Sequence, residues 1–285
     1  MPSLIDLRRR IRSVKNTQQI TKAMKMVSAA KLRRAQESVV AARPFATLLR
    51  EMLTSVLANV GEEDLEHPLL AKRPEKRVLL LLLSGDKGLC GGFNTKVFKA
   101  SDEFCAKHSE QDLELNAIGR KGRDYYKRRE ANIGSEWINV FSAVKFETAA
   151  EIGNKVIERF SNSEVDSVYL LYTQFKSALS SEPVLQPLLP VAPPAAGEAA
   201  ADYIFQQSPQ EMFSSLLPRY VRNQVYQAML ESSASEHSAR MAAMDAATRN
   251  AGEMIDSLTL HLNRIRQASI TTEIIEVVSG AAAQE

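Results

Sequence analysis

The fold is decided by the C-terminal stretch of residues 208–279, which reads SPQEMFSSLLPRYVRNQVYQAMLESSASEHSARMAAMDAATRNAGEMIDSLTLHLNRIRQASITTEIIEVVS. It contains one glycine, Gly252, and one proline beyond its opening, Pro218. A continuous helix of this length would be ~105 Å long. Apolar or small residues recur every three or four positions, at Val221, Val225, Ala228, Ala239, Ala242, Ala246, Ile255, Leu258, Leu262 and Ile265. This narrow stripe predicts a coiled-coil helix that needs a partner.

The N-terminal residues 3–60 supply that partner, since they contain no glycine and a single proline, Pro44. Their apolar stripe runs through Leu4, Leu7, Ile11 and Val14 and resumes at Ala35, Val39, Ala42, Ala46, Leu49, Leu53, Val56 and Val60. Gln18 and Thr21 interrupt it, so we expect the seam to slip onto Ile20, Met24 and Val27. An internal proline costs ~3 kcal/mol, which predicts a bend or interruption near Pro44. The two helices are expected to pair antiparallel.

The middle of the chain alternates strand-like and helix-like segments. The predicted strands are Arg77–Ser84, Leu113–Gly119, Ile133–Val140, Val165–Phe175 and an edge strand Val184–Val191, and the predicted helices are Asn94–His108, Lys121–Ala131 and Glu147–Ser161. This alternation predicts a three-layer α/β domain with a mostly parallel sheet. Residues 61–74 are expected to form a solvated linker. The predicted division is a rod of residues 1–60 and 208–285 around a globular domain of residues 75–205.

Composition and charge limit the classes of protein. With 285 residues, 45% hydrophobic and 25% charged, the chain is expected to be soluble, without a signal peptide, and its two cysteines predict no disulfide framework. Residues 1–36 carry ten Lys or Arg against one acid, a net charge of +9, whereas residues 210–285 carry six Arg against nine acids, a net charge of −3. The negative charge of the C-terminal helix neutralises only part of the positive charge of the N-terminal helix, so we expect an acidic partner.

Catalytic motifs are sparse. The turn Gly85–Gly92, GDKGLCGG, follows a strand and precedes a helix, but its glycine spacing matches neither a dinucleotide fingerprint nor a phosphate loop. It therefore favours a tight turn with positive φ. The four histidines have no metal-ligand spacing, and Cys90 is expected to pack rather than react. A nucleotide-dependent enzyme and a nucleic-acid-binding coiled coil remain alternatives, although residues 1–44 contain no aromatic residue for base stacking.

Four stretches of sequence carry a resemblance. Residues 11–36 read IRSVKNTQQITKAMKMVSAAKLRRAQ, residues 84–94 read SGDKGLCGGFN, and residues 235–250 and 263–282 read SEHSARMAAMDAATRN and NRIRQASITTEIIEVVSGAA. In this order they resemble the signatures of the gamma subunit of F-type, proton-translocating ATP synthases of the bacterial type.

The resemblance implies a central rotor shaft. The helix pair would stand in a hexamer of alpha and beta subunits, and the globular domain would sit on the membrane c-ring beside epsilon. Proton flow would turn the shaft and drive the beta sites through ATP synthesis or hydrolysis. The chain would have no catalytic residues and no cofactor of its own, since ATP, ADP and Mg would bind the alpha and beta subunits. It would lie peripherally on the cytoplasmic face of the bacterial plasma membrane.

The resemblance also implies contact residues. Met24, Lys25, Arg266, Gln267 and Thr271 would face the hexamer, and Arg43, Pro44, Phe45, Tyr203, Gln206 and Gln207 would face the c-ring and epsilon. Pro218 lies where the family has a continuous helix, so a kink or a short separate helix before it is predicted.

Overall fold

The computed structural model describes residues 4–59, 67–177, 180–191 and 209–282. The chain divides into two compact units, one made of Met1–Ser28 with Met241–Glu285 and the other of Ala29–Arg240. The division into a rod of residues 1–60 and 208–285 and a domain of residues 75–205 stays a prediction.

Two long helices open and close the described chain. Helix α1 spans Leu4–Asn59 and contains Pro44, and helix α5 spans Pro209–Ala282 and contains Pro218. Neither helix is broken at its proline, so an interruption at Pro44 and a separate helix before Pro218 are wrong, and the alternatives, a bend at Pro44 and a kink at Pro218, stay predictions. Pro44 is exposed, and so is Val40, whose carbonyl loses its helical donor. Water can satisfy that carbonyl, which explains why the helix continues past the proline.

The unit of residues 29–240 is built on a five-stranded sheet with the strand order β3-β2-β1-β4-β5. The strands are β1 (Arg77–Leu83), β2 (Asp112–Ile118), β3 (Ile133–Trp137), β4 (Ser167–Phe175) and β5 (Ser181–Leu189). All neighbours are parallel except β4 and β5, which are antiparallel. The predicted strands, their mostly parallel arrangement and the edge position of the proline-containing β5 are confirmed. Proline is tolerated there because an edge strand leaves one row of backbone groups unpaired.

Three shorter helices cover the sheet: α2 (Phe93–Lys107), α3 (Arg120–Lys127) and α4 (Phe146–Ser161). Strand β1 is buried on both faces, as its unbroken apolar run predicts. Val78, Leu80 and Leu82 pack with α2 and α3. Leu79, Leu81 and Leu83 pack on the opposite face with α4 and with residues of α1 and α5, including Leu53 and Val225. The three-layer α/β prediction is confirmed.

The segment between α1 and β1 differs from the predicted solvated linker. Residues 61–66 lie outside the described residues, but Pro68–Leu70 forms a 3-10 turn that places Leu69 in the core, where it is 1% exposed. The backbone carbonyl of Leu69 also accepts a hydrogen bond from the Val191 N–H at 2.9 Å. Leu69 and Leu70 are flanked by polar residues, so the sequence pattern did not predict that Leu69 is buried.

In the unit of residues 1–28 and 241–285, α1 and α5 run antiparallel. Lys25 Nζ lies 2.5 Å from Asp245 Oδ1, Thr248 Oγ1 lies 2.8 Å from Thr21 Oγ1, and Gln18 Nε2 donates to the Thr248 carbonyl at 3.4 Å. The residue numbers rise on one helix as they fall on the other. The predicted antiparallel pair is confirmed.

The register of the seam was predicted wrongly in two places. Where the seam of α1 was expected to slip, Thr21 and Ser28 are buried, whereas Ile20 and Val27 are more than half exposed. On α5 the small apolar Ala242 is exposed and Met244 is buried instead. Thr21 keeps its seam position because it accepts a hydrogen bond from Thr248 of the facing helix and donates one to the Gln18 carbonyl, which a hydrophobic pattern does not reveal.

Candidate interaction surfaces

The C-terminal end of α5 exposes apolar side chains without cover from the rest of the described chain. Every residue from Ile270 to Gly280 is exposed, and the large apolar ones are Ile270, Ile274, Ile275, Val277 and Val278. At 3.6 residues per turn these five occupy about 160° of the helix circumference. Exposed apolar patches of this kind mark surfaces that a partner covers. Only Glu273 and Glu276 carry charge in this segment.

The predicted hexamer contacts at this end lie in a single exposed stretch. Arg266, Gln267 and Thr271 are all exposed. The Thr271 hydroxyl donates to the Gln267 carbonyl at 2.9 Å, so it is held against its own helix. The arrangement leaves the Arg266 and Gln267 side chains accessible.

The predicted contacts on α1 differ in accessibility. Met24 and Lys25 are each partly buried, and Lys25 is paired with Asp245. The Lys25 ammonium holds the pKa of the Asp245 carboxyl below its usual value. The cation is therefore partly neutralised within the chain.

A second exposed surface lies on α1 in the unit of residues 29–240. Arg43, Pro44 and Phe45 are exposed, and the neighbouring Val40 and Leu48 are also exposed apolar residues. They form an accessible face of low charge. The other predicted contacts of this group, Tyr203, Gln206 and Gln207, lie outside the described residues.

The glycine loop, residues 85–92, is anchored through Asp86 to the segments that follow β2 and β3. The Asp86 carboxylate accepts three backbone N–H bonds, from Arg120 at 3.0 Å, Asn139 at 2.8 Å and Phe141 at 3.0 Å. Asp86 is 9% exposed. All three donors lie outside the loop, so these bonds fix the position of the loop.

The loop backbone supports the tight-turn interpretation. Gly91 has φ of 55°, and Leu89 also has φ of 60° although it is not a glycine. The Gly85 N–H donates to Asn94 Oδ1 at 2.9 Å, which ties the loop to the first turn of α2. Cys90 is 2% exposed, and burial raises the pKa of its thiol, so the prediction that it packs is confirmed.

A buried polar clamp between α5 and this loop was missed from the sequence. Arg240 donates to the carbonyls of Gly88 at 3.2 Å and Lys87 at 3.4 Å, and it also pairs with Glu236. The Glu236 carboxyl packs near Gly85, and burial raises its pKa while Arg240 opposes that rise. The sequence feature that could have predicted this clamp is the i, i+4 spacing of Glu236 and Arg240 in a stretch with few apolar residues.

No helix in the described part of the chain is long and apolar enough to cross a membrane. Within the same residues, no group of three or more histidine, cysteine or acidic side chains is placed to hold a metal ion.

Comparison with known proteins identifies the family. The model of the family described as ATP synthase matches residues 3–284. The ATP synthase gamma chain of Solibacter usitatus is 57% identical over 287 residues, covering 100% of both chains, and that of Pelotomaculum thermopropionicum is 50% identical with the same coverage. The chain belongs to the ATP synthase gamma chain family.

Solved structures of ATP synthases contain similar chains. A chain of the central stalk and c-ring of the Tetrahymena thermophila mitochondrial ATP synthase is 27% identical, with a TM-score of 0.61, over 80% of this gamma-family chain and 99% of that chain. A chain of the Euglena gracilis mitochondrial ATP synthase is 18% identical, with a TM-score of 0.67, over 99% and 94%. The second likeness shows that the fold is shared.

Proposed function

We propose that this chain is the central rotor shaft of an F-type ATP synthase. The observation that carries the proposal is the C-terminal end of α5, where Ile270–Gly280 is exposed and presents an apolar face of about 160°. A helix with so few charges and so much exposed apolar surface needs an enclosing partner. The hexamer of alpha and beta subunits would supply an apolar sleeve in which the helix turns.

The contacts of the shaft follow from their accessibility. Arg266, Gln267 and Thr271 would meet loops of the hexamer, and Met24 and Lys25 would lie near acidic side chains of beta. Arg43, Pro44 and Phe45, with Tyr203, Gln206 and Gln207, would meet the c-ring and epsilon. The exposed face of low charge around Phe45 supports an interface there.

The proposed role is mechanical. Coupling would pass from the c-ring through the chain to the beta sites, which would bind ATP, ADP and Mg, while the chain itself would hold no cofactor and contribute no catalytic group. The glycine spacing of residues 85–92, which matches neither a dinucleotide fingerprint nor a phosphate loop, supports this division. The chain would lie peripherally at the cytoplasmic face of the bacterial plasma membrane.

Rotation of a bead attached to this chain tests the proposal. A Lys107→Cys substitution in a Cys105→Ser background gives an exposed thiol on the α/β unit, because Lys107 is exposed and the remaining Cys90 is buried. The variant is assembled with alpha and beta subunits fixed to a surface. ATP should drive stepwise rotation in one direction. ATP hydrolysis by the hexamer with a stationary bead would overturn the rotor role.

A further inference from the structure

A cavity of about 270 Å³ lies among α1, the 3-10 turn Val140–Ser142 and α5, within the unit of residues 29–240. This is far more than the roughly 10–15 Å³ that one water needs. Its polar lining comes from Lys31, Arg34, Ser38, Ser142, Ser233 and His237. The lining contains two full positive charges and no carboxylate.

His237 contributes a hydrogen-bond donor to this lining. Its Nδ1 lies 3.3 Å from Arg240 Nη1. A guanidinium can only donate, so Nδ1 of the neutral imidazole accepts and the ring proton sits on Nε2. The neutral ring is favoured because burial and the charges of Arg240, Lys31 and Lys87 lower the pKa of His237 to about 4. The Nε2–H has no hydrogen-bond acceptor among the described residues.

The charges facing His237 leave a positive excess. Lys31 and Arg34 line the cavity with it from α1, Lys87 acts on it from the glycine loop, and Arg240 contacts it from its own helix. The nearby carboxylates are Glu236, which precedes His237 in the chain, and Asp86, which acts on Glu236. Glu236 is paired with Arg240, and the Asp86 carboxylate is filled by three backbone N–H bonds. Among the described residues Lys31, Arg34 and Lys87 form no salt bridge, although Lys31 lies near enough to Glu236 to lower the pKa of that carboxyl.

Two of the three serine hydroxyls of the lining are committed elsewhere. Ser38 Oγ donates to the Arg34 carbonyl at 3.1 Å, and Ser142 Oγ donates to the Asn139 carbonyl at 3.0 Å. Recognition of a ligand therefore falls to the N–H groups of Lys31, Arg34 and His237, with the Ser233 hydroxyl beside them. Such a donor set suits oxygen atoms that carry negative charge.

We propose that this cavity binds a small oxyanion of the phosphate class, either free phosphate or the phosphoryl end of a nucleotide. The Arg34 fork bonds two of its oxygens, the Lys31 ammonium neutralises charge, and His237 donates from Nε2. The site is separate from the rotor contacts and does not depend on the proposed function. Binding also favours protonation of His237, because the anion offsets the positive charges that disfavour it.

The test uses the full chain with isotope-labelled histidine and NMR titration. His237→Gln identifies which of the four histidine signals belongs to this residue. Sodium phosphate is compared with sodium chloride at constant ionic strength. Phosphate should raise the pKa of His237 by at least about one unit and bind with a Kd on the order of 1 mM. A pKa of His237 that responds equally to chloride and to phosphate would overturn the proposal.

Variants separate the cavity from general surface charge. Lys31→Gln with Arg34→Gln should weaken phosphate binding at least about tenfold, whereas the matched pair Lys121→Gln with Arg128→Gln, also exposed, should leave it unchanged. If both pairs of substitutions weaken phosphate binding equally, the proposal that the cavity is the binding site is wrong. If the first pair unfolds, Arg34→Lys keeps the charge and removes the fork, and it should still weaken binding.

A second titration with ADP distinguishes the two sources of the anion. ADP binding at least about tenfold tighter than phosphate, and lost with Lys31→Gln and Arg34→Gln, identifies the phosphoryl end of a nucleotide. Equal or weaker binding of ADP identifies free phosphate. Failure of both anions to bind overturns the site.

Discussion

Lys25 Nζ lies 2.5 Å from Asp245 Oδ1 and joins the two antiparallel helices. Both side chains remain partly accessible, with 44% and 38% exposure. Lys25 was predicted from the sequence as a contact for an acidic partner. The pair shows that any such partner meets a cation already shared with α5.

Met24→Lys should impair coupling in the assembled synthase. A second cation beside Lys25 would exceed what Asp245 can offset and would hold acidic side chains of beta too tightly. We expect proton-driven ATP synthesis to fall by about tenfold, equivalent to ~1.4 kcal/mol, in reconstituted vesicles. Asn16→Lys, an exposed position on the same helix, serves as the control. Normal synthesis by Met24→Lys would contradict the placement of this residue.

Ile274→Asp should leave the isolated chain as stable as the parent, within ~0.5 kcal/mol, because Ile274 is 58% exposed. In the hexamer the same change places a carboxylate in an apolar sleeve, and we expect binding to alpha and beta to weaken at least about tenfold. Thr272→Asp adds the same charge on the opposite face of the helix and should weaken binding less. Equal effects of the two variants would show that the apolar face is not what the hexamer contacts.

Gly119→Ala should destabilise the α/β unit by at least ~3 kcal/mol. Gly119 has φ of 108°, and a Cβ there would lie 2.0 Å from the Ser84 carbonyl oxygen. The measurement is the urea midpoint of the full chain. Gly92→Ala is the matched control, because a Cβ at Gly92 meets nothing within 4 Å. A midpoint for Gly119→Ala close to that of the control would be evidence against the close approach.

Leu69→Ala should cost ~3 kcal/mol, the usual loss for emptying a buried leucine site. The comparison is Leu89→Ala, because Leu89 is 64% exposed and Leu69 is 1% exposed. Thermal unfolding of the full chain, followed by the signal of the α/β unit, distinguishes them. A small effect at Leu69 would mean that residues 68–70 are not part of the core.

His237 should make the stability of the chain depend on pH. Its pKa falls from 6.5 to about 4 in the folded chain. Its contribution is therefore present above pH 6.5 and is lost as the pH falls towards 4, because the unfolded chain takes up the proton first. After allowance for solvent screening we expect ~2 kcal/mol.

Unfolding measured in urea between pH 7.5 and 4 tests this dependence. His237→Gln should remove it, whereas His261→Gln should not, since His261 is exposed. The raised pKa of Glu236 acts with the opposite sign, so its contribution is largest at low pH and falls as the pH rises. If the free energy of unfolding of His237→Gln depends on pH as steeply as that of the parent, the pH dependence comes from other groups.

The sequence was sufficient to predict the structure where the residue pattern of a single segment indicates how that segment is buried. The unbroken leucine run of β1 predicted a strand covered on both faces, and the prolines of β5 predicted its edge position. Both features depend on local chemistry, which the sequence carries directly.

The sequence was insufficient where a polar group depends on a distant partner. Thr21 keeps its place in the seam because Thr248 supplies a hydrogen bond, and Arg240 is buried because loop carbonyls accept its N–H groups. Hydrophobic periodicity assigns such residues to the surface. Only the fold shows that their polar atoms are satisfied inside the molecule.

The hydroxyl and amide groups of Gln18, Thr21 and Thr248 form a polar layer within the helix pair. Sliding one helix along the other by one turn, ~5.4 Å, would separate these groups. Both threonine hydroxyls would keep a carbonyl acceptor on their own helix, so the loss is that of the bonds between the helices, ~0.5–1.5 kcal/mol each. The layer therefore favours one axial register of the two helices. A torque applied to the helix pair is then transmitted by both helices, because the layer opposes sliding of one helix past the other.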